Sequence, residues 1–106
     1  MGQWQTEIEH QPTITNAQIW DLDSEKYCLR EPILIVLEAS PDEVIARFPE
    51  IEAFGVGPTE PEAILALKHD IVPLYEDLTS SKPEELGRLP RMWLRVLKRL
   101  IIERNE

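Results

Sequence analysis

The chain has 106 residues, 42% hydrophobic and 29% charged, with 20 acids against 11 lysines and arginines for a net charge of -9. This length suits one domain with a modest core, and the composition is that of a folded, soluble protein rather than a disordered one. An acidic surface repels phosphate backbones, which argues against nucleic-acid binding by the surface as a whole.

The charge is unevenly spread. Residues 88–106 carry six basic residues against two acids, a local charge of +4, while the remainder carries -13. A basic tail on an acidic body pairs with the body's own acids, with another copy or with an acidic partner; a solvated helix face is the commoner outcome. The single cysteine, Cys28, rules out a disulfide within the chain and points to a reducing cytoplasm. Its expected role is that of a small buried apolar residue. The stretch "MGQWQTEIEHQPTI" shows no secretory pattern, and the apolar run Ile33–Leu37 is far too short to span a bilayer, so no membrane contact is expected.

In chain order, residues 1–16 read as a loose, polar arm. "AQIWDLDSEKY" alternates well enough to add an edge strand. "PILIVLEA" is a better strand, with Pro32 at its start and a run of β-branched and aliphatic residues. "SPDE" supplies a turn, and "EVIARFPEI" returns as the second arm of a hairpin. "EAFGVG" is a third short strand, its glycines marking a bulge or a close backbone approach.

"TEPEAILALKHDIVPLYEDL" reads as a helix. Thr59 is the N-cap, Glu62 completes a capping box, and Pro61 sits where its missing N–H costs little. Ile64, Leu67, Ile71, Leu74 and Leu78 form one apolar stripe, and Pro73 is expected to kink the helix. After a polar connection, "LPRMWLRVLKRLIIERNE" reads as a second helix burying Leu89, Trp93, Val96, Leu97, Leu100 and Ile101. The near-continuous apolar run Ile33–Leu37 asks for cover on both faces of its sheet.

The residues offer little chemistry. Two histidines, His10 and His69, and one distant cysteine give no zinc spacing. His69 beside Asp70 is more often a surface pair than a general base. "GVGPTE" lacks the Lys-Ser/Thr of a phosphate loop and the third glycine of a dinucleotide fingerprint, and Glu60 and Glu62 already occupy the positive helix end. No cofactor is expected, and the chain is expected not to be an enzyme. Arg91, Arg95, Lys98 and Arg99 could follow a phosphate backbone, as a weak nucleic-acid contact or a partner contact.

The stretch Phe48, Pro49, Glu50, then Gly57, Thr59, Glu62 and Ala63 resembles the signature of HicB-like antitoxins: aromatic-Pro-acid at a strand end, a short strand, then Gly-x-Thr-x-x-Glu-Ala opening a helix. The resemblance covers about residues 30–80. It implies an α+β fold: a three-stranded, possibly four-stranded, antiparallel sheet with a helix on one face, a partial ribonuclease-H-like arrangement, here followed by a C-terminal helix. With the residue reading it divides the chain into a loose arm over 1–16, a HicB-like β-β-β-α domain over 17–80, and a linker with a basic amphipathic helix over 81–106. It also implies a homodimer that neutralises a small basic ribonuclease toxin by protein–protein contact. The alternative is an orphan dimeric adaptor or regulatory module of the same fold, with no toxin and weak DNA contact through its last helix. The chain departs from the signature where Glu52-Ala53-Phe54 replaces a common glycine-cysteine, and where no separate DNA-binding domain follows.

Overall fold

The structure, a computed structural model, describes residues 12–104. In chain order the elements are β1 (Thr13–Ile19), β2 (Tyr27–Leu29), β3 (Ile33–Ala39), β4 (Val44–Phe48), a 3-10 turn (Pro49–Ile51), β5 (Ala53–Gly57), α1 (Glu60–Ser80), a second 3-10 turn (Pro83–Glu85), α2 (Arg88–Leu100) and β6 (Ile101–Glu103). The fold is α+β. Four strands form one antiparallel sheet in the order β1-β3-β4-β5, α1 packs on one face of it, and β2 and β6 form a separate two-stranded ribbon.

Register sorts every strand residue to one of two faces. Ile19 sits opposite Ile33, Ala17 opposite Ile35 and Thr15 opposite Leu37. Leu37 pairs with Ala46, and Ala46 with Gly55. Apart from Thr15, which is exposed, these residues face α1, where Ala63, Leu67, Ile71 and Leu78 complete one core. Gly55 and Gly57 set the distance between sheet and helix. A Cβ on Gly55 would lie 2.3 Å from the Leu67 backbone nitrogen and 2.5 Å from the Ala63 carbonyl oxygen. One on Gly57 would lie 2.7 Å from the Ala63 nitrogen. The close backbone approach expected at these glycines is therefore that of β5 against α1.

The capping expectation at Thr59 holds with a change of detail. The Thr59 hydroxyl accepts from the Glu62 backbone N–H at 3.4 Å and donates to the Glu62 carboxylate at 3.0 Å. The helix then runs through Pro73, which lies exposed, to Ser80. Its last carbonyls are met by hydroxyls: Thr79 donates to the Tyr75 carbonyl at 2.9 Å, and Ser81 to that of Asp77 at 3.0 Å.

The structure corrects several boundaries. The first strand begins at Thr13, four residues inside the expected arm, because Thr13–Ile19 finds a full antiparallel partner in Ile33–Ala39. Residues 1–11 of that expected arm lie outside the described residues. Among the described residues the sheet has four strands, with β1 on its edge. The C-terminal helix ends at Leu100 rather than continuing through "IIERNE". The β-branched pair Ile101-Ile102 leaves the helix as β6, opposite Leu29 and Cys28, and bonds from Arg30 N–H to the Leu100 carbonyl and from Arg104 N–H to the Lys26 carbonyl flank the ribbon. Leu89, expected to be buried, is 49% exposed, and Trp93 and Val96 are half-buried. The buried face of α2 is its last turn, where Leu97 and Leu100 join Ile101 in the main core. Cys28 is half-buried rather than enclosed. Among the described residues the run Ile33–Leu37 has cover on one face only, with Ile33, Ile35 and Leu37 inward and Leu34 62% exposed.

Candidate functional site

The signature residues build a joint. Phe48 is fully buried at the end of β4, and Pro49 opens the 3-10 turn. Glu52 closes that turn in the left-handed region, φ 56°, with its N–H on the Pro49 carbonyl. Gly57, Thr59, Glu62 and Ala63 turn the chain from β5 into α1, with Ala63 fully buried beneath the strand. Glu50 is exposed, and its carboxylate accepts from Arg99 at 3.3 Å.

Arg91, Arg95, Lys98 and Arg99 of α2 do not form one free stripe. Arg99 lies between two acids, 3.5 Å from Glu31 and 3.3 Å from Glu50. Arg91 donates from Nε to the Leu86 carbonyl of its own connection at 3.0 Å. Arg95 and Lys98 are exposed and make no ion pair among the described residues. Part of the basic tail therefore pairs with the acidic body.

The outward side of α1 is acidic. Glu60, Glu62, Asp70, Glu76 and Asp77 are exposed along it, with Leu65 among them. Its one lysine and its histidine are engaged from the β1–β2 connection. Lys68 donates to Asp21 at 3.1 Å, and His69 lies 3.9 Å from Asp23. The Lys68 ammonium, with the Asp23 backbone N–H, holds the Asp21 carboxyl below the usual carboxylate range. At the far end of α1, the Tyr27 hydroxyl donates to Glu76 at 3.0 Å and its ring meets Tyr75 edge-on at 5.3 Å. Burial, then the Glu76 carboxylate, push the Tyr27 phenol up.

A hollow of about 250 Å³ beside His69 is lined by Leu22, Asp23, Ser24, Lys68, Val72 and Pro73. His69 and Asp23 are 63% and 60% exposed. The Ser24 hydroxyl oxygen accepts backbone N–H bonds from Lys26 and Tyr27, each at 3.2 Å. The serine thus closes a turn, and the His–Asp pair is wet. Among the described residues no group of three or more His, Cys, Asp and Glu side chains converges as a metal site, and no helix is long and apolar enough to cross a membrane.

The second sheet face for which the run Ile33–Leu37 asks cover is the one turned away from α1, and its residues come into view only in the structure. Register places Ile14, Glu38, Ile45 and Val56 in one row across it, and Asn16, Val36, Arg47 and Phe54 in the next. Gln18, Leu34 and Trp20 continue it toward Pro49, around a groove of about 840 Å³. Five of the eight large exposed apolar side chains of the described residues belong here: Ile14, Trp20 at 69%, Leu34, Phe54 at 52% and Val56. At its centre Arg47 pairs with Glu38 and lies 5.9 Å from the centre of the Phe54 ring. The signal was present in the alternation of β3, where positions 34 and 36 face away from 33, 35 and 37. Comparison with family models, with curated proteins and with solved structures returns no match to this chain.

Proposed function

We propose that this chain is a non-enzymatic protein-binding module of the antitoxin type, which neutralises a small basic ribonuclease by covering it. The observation that carries this reading is the outward face of α1. It presents Glu60, Glu62, Asp70, Glu76 and Asp77 with Leu65 exposed among them, while Lys68 and His69 are occupied by Asp21 and Asp23. Such a face attracts a cationic protein and speeds its approach. The HicB-like signature supports the same reading, since its residues form the joint that holds this helix against the sheet. The chain would act without a cofactor, in the cytoplasm, where a ribonuclease toxin finds its RNA.

The test is a pull-down of the tagged full chain from native extract at low and moderate salt. The expected result is co-purification of a small basic protein whose ribonuclease activity appears once the two are separated. Reversing Asp70 and Asp77 to lysine should weaken capture and flatten its salt dependence. Recovery of this chain alone at both salts, from cells that express it, would overturn the reading.

A further inference from the structure

We propose that two copies of this chain pack through the open faces of their four-stranded sheets. The argument starts from charge. The whole chain carries 20 acids against 11 lysines and arginines. The open face carries one acid and one base by register, Glu38 and Arg47, and they pair with each other. It is the neutral, apolar part of an acidic molecule, with Ile14, Leu34, Val36, Ile45, Phe54 and Val56 around that pair. A basic partner finds a stronger field on α1, and a nucleic acid finds none here. A second copy meets neither repulsion nor an unpaired charge.

The face is also self-complementary. Glu38 and Arg47 are diagonal neighbours on β3 and β4, since Glu38 sits opposite Ile45 and Arg47 opposite Val36. In a two-fold dimer each patch meets its own image. An axis lying in the interface and crossing between the two side chains sets each copy's Glu38 over the other's Arg47. The pair would then become a four-charge cluster within an apolar rim, matched in sign at every contact. The same packing gives Ile33–Leu37 the cover on its second face that such a run asks for. The proposal does not depend on whether a toxin is bound.

The test is sedimentation velocity of the full chain across a concentration range, with far-UV circular dichroism as the control for folding. The wild type should sediment as twice 12.3 kDa at the higher concentrations. Leu34→Lys, at a position whose side chain is already largely in water, should fold and weaken the dimer about tenfold or more. Glu38→Arg and Arg47→Glu should each be monomeric, because like charges then face each other across the axis. Mixing those two variants should restore a dimer, since every facing pair is again opposite in sign. A wild type that stays monomeric leaves the face to a different partner and overturns the proposal. So does a dimer indifferent to all three substitutions, or a pair of charge variants that fails to recover on mixing.

Discussion

The two faces of the four-stranded sheet are made by the same residues read in alternation, yet they differ in almost every physical respect. Beneath α1, Ala46, Phe48, Ala63 and Leu67 are fully buried, and Gly55 leaves no room for a methyl group. On the other side Leu34, Phe54 and Val56 stand in water around one ion pair. The first face is specified by shape, where a displacement of a few tenths of an ångström is felt. The second is specified by chemical character. It tolerates changes of shape within the monomer, and its constraints arise from what it meets.

The largest effect expected is on the closed side. Leu97 is fully buried where α2 joins the core. Leu97→Asp removes a packed side chain and leaves an unpaired charge or an orphaned carboxyl, a loss of about 3–5 kcal/mol or more, a large share of the stability of a domain this size. Thermal unfolding by circular dichroism should show the variant largely unfolded near room temperature. An unchanged melting curve would mean that α2 does not belong to the closed side.

The sharpest comparison comes from neighbours in sequence. Gly55 faces α1 and Phe54 faces water. Gly55→Ala sets a methyl group against helix backbone, so α1 must shift, at a cost of about 1–3 kcal/mol. Phe54→Ala removes a far larger group, and in the dilute monomer it should cost about 0.5 kcal/mol or less. Chemical denaturation of both at low concentration decides the point. If Phe54→Ala is the more harmful of the two in the monomer, the two-face description is wrong.

Much of this fold was legible in the sequence because the relevant physics is local. The cap at Thr59, the turn after β3 and the apolar run Ile33–Leu37 are properties of short stretches, and the sheet and α1 follow from them. What stayed hidden depended on distant partners. The run Thr13–Ile19 is a strand because β3 offers it a register, and "IIE" leaves the helix because Tyr27–Leu29 lies beside it. The apolar stripe of α2 was visible, but only packing decided that Leu97 and Leu100 are buried while Leu89 stays in water. The candidate surfaces were hidden for the same reason. The acids of α1 read as ordinary solvated residues until Asp21 and Asp23 were seen to occupy Lys68 and His69, and the open sheet face exists only once four strands are in register.

A middle-sized effect tests the entrance to α1, which holds the closed side in place. Thr59→Ala removes the hydroxyl that accepts the Glu62 N–H, and the helix start should lose about 1 kcal/mol. Thr59→Ser keeps the hydroxyl and should restore most of the loss. Equal melting temperatures for all three proteins would remove the cap from the account of how the joint is held.

The smallest effect expected is a gain, at the rim where the two faces meet. Glu52 ends the Pro49–Ile51 turn with φ 56° and ψ 31°, the left-handed conformation. A side chain there costs about 1–2 kcal/mol relative to a residue without Cβ. Glycine would remove that strain but would add freedom to the unfolded chain, worth about 0.4–1 kcal/mol in the opposite sense. The difference favours Glu52→Gly by about 0.5 kcal/mol, and the melting temperature should rise by a few degrees. A rise would mean that backbone strain at Glu52 outweighs the freedom that glycine adds to the unfolded chain. A fall would mean that the Glu52 side chain holds the turn by contacts of its own.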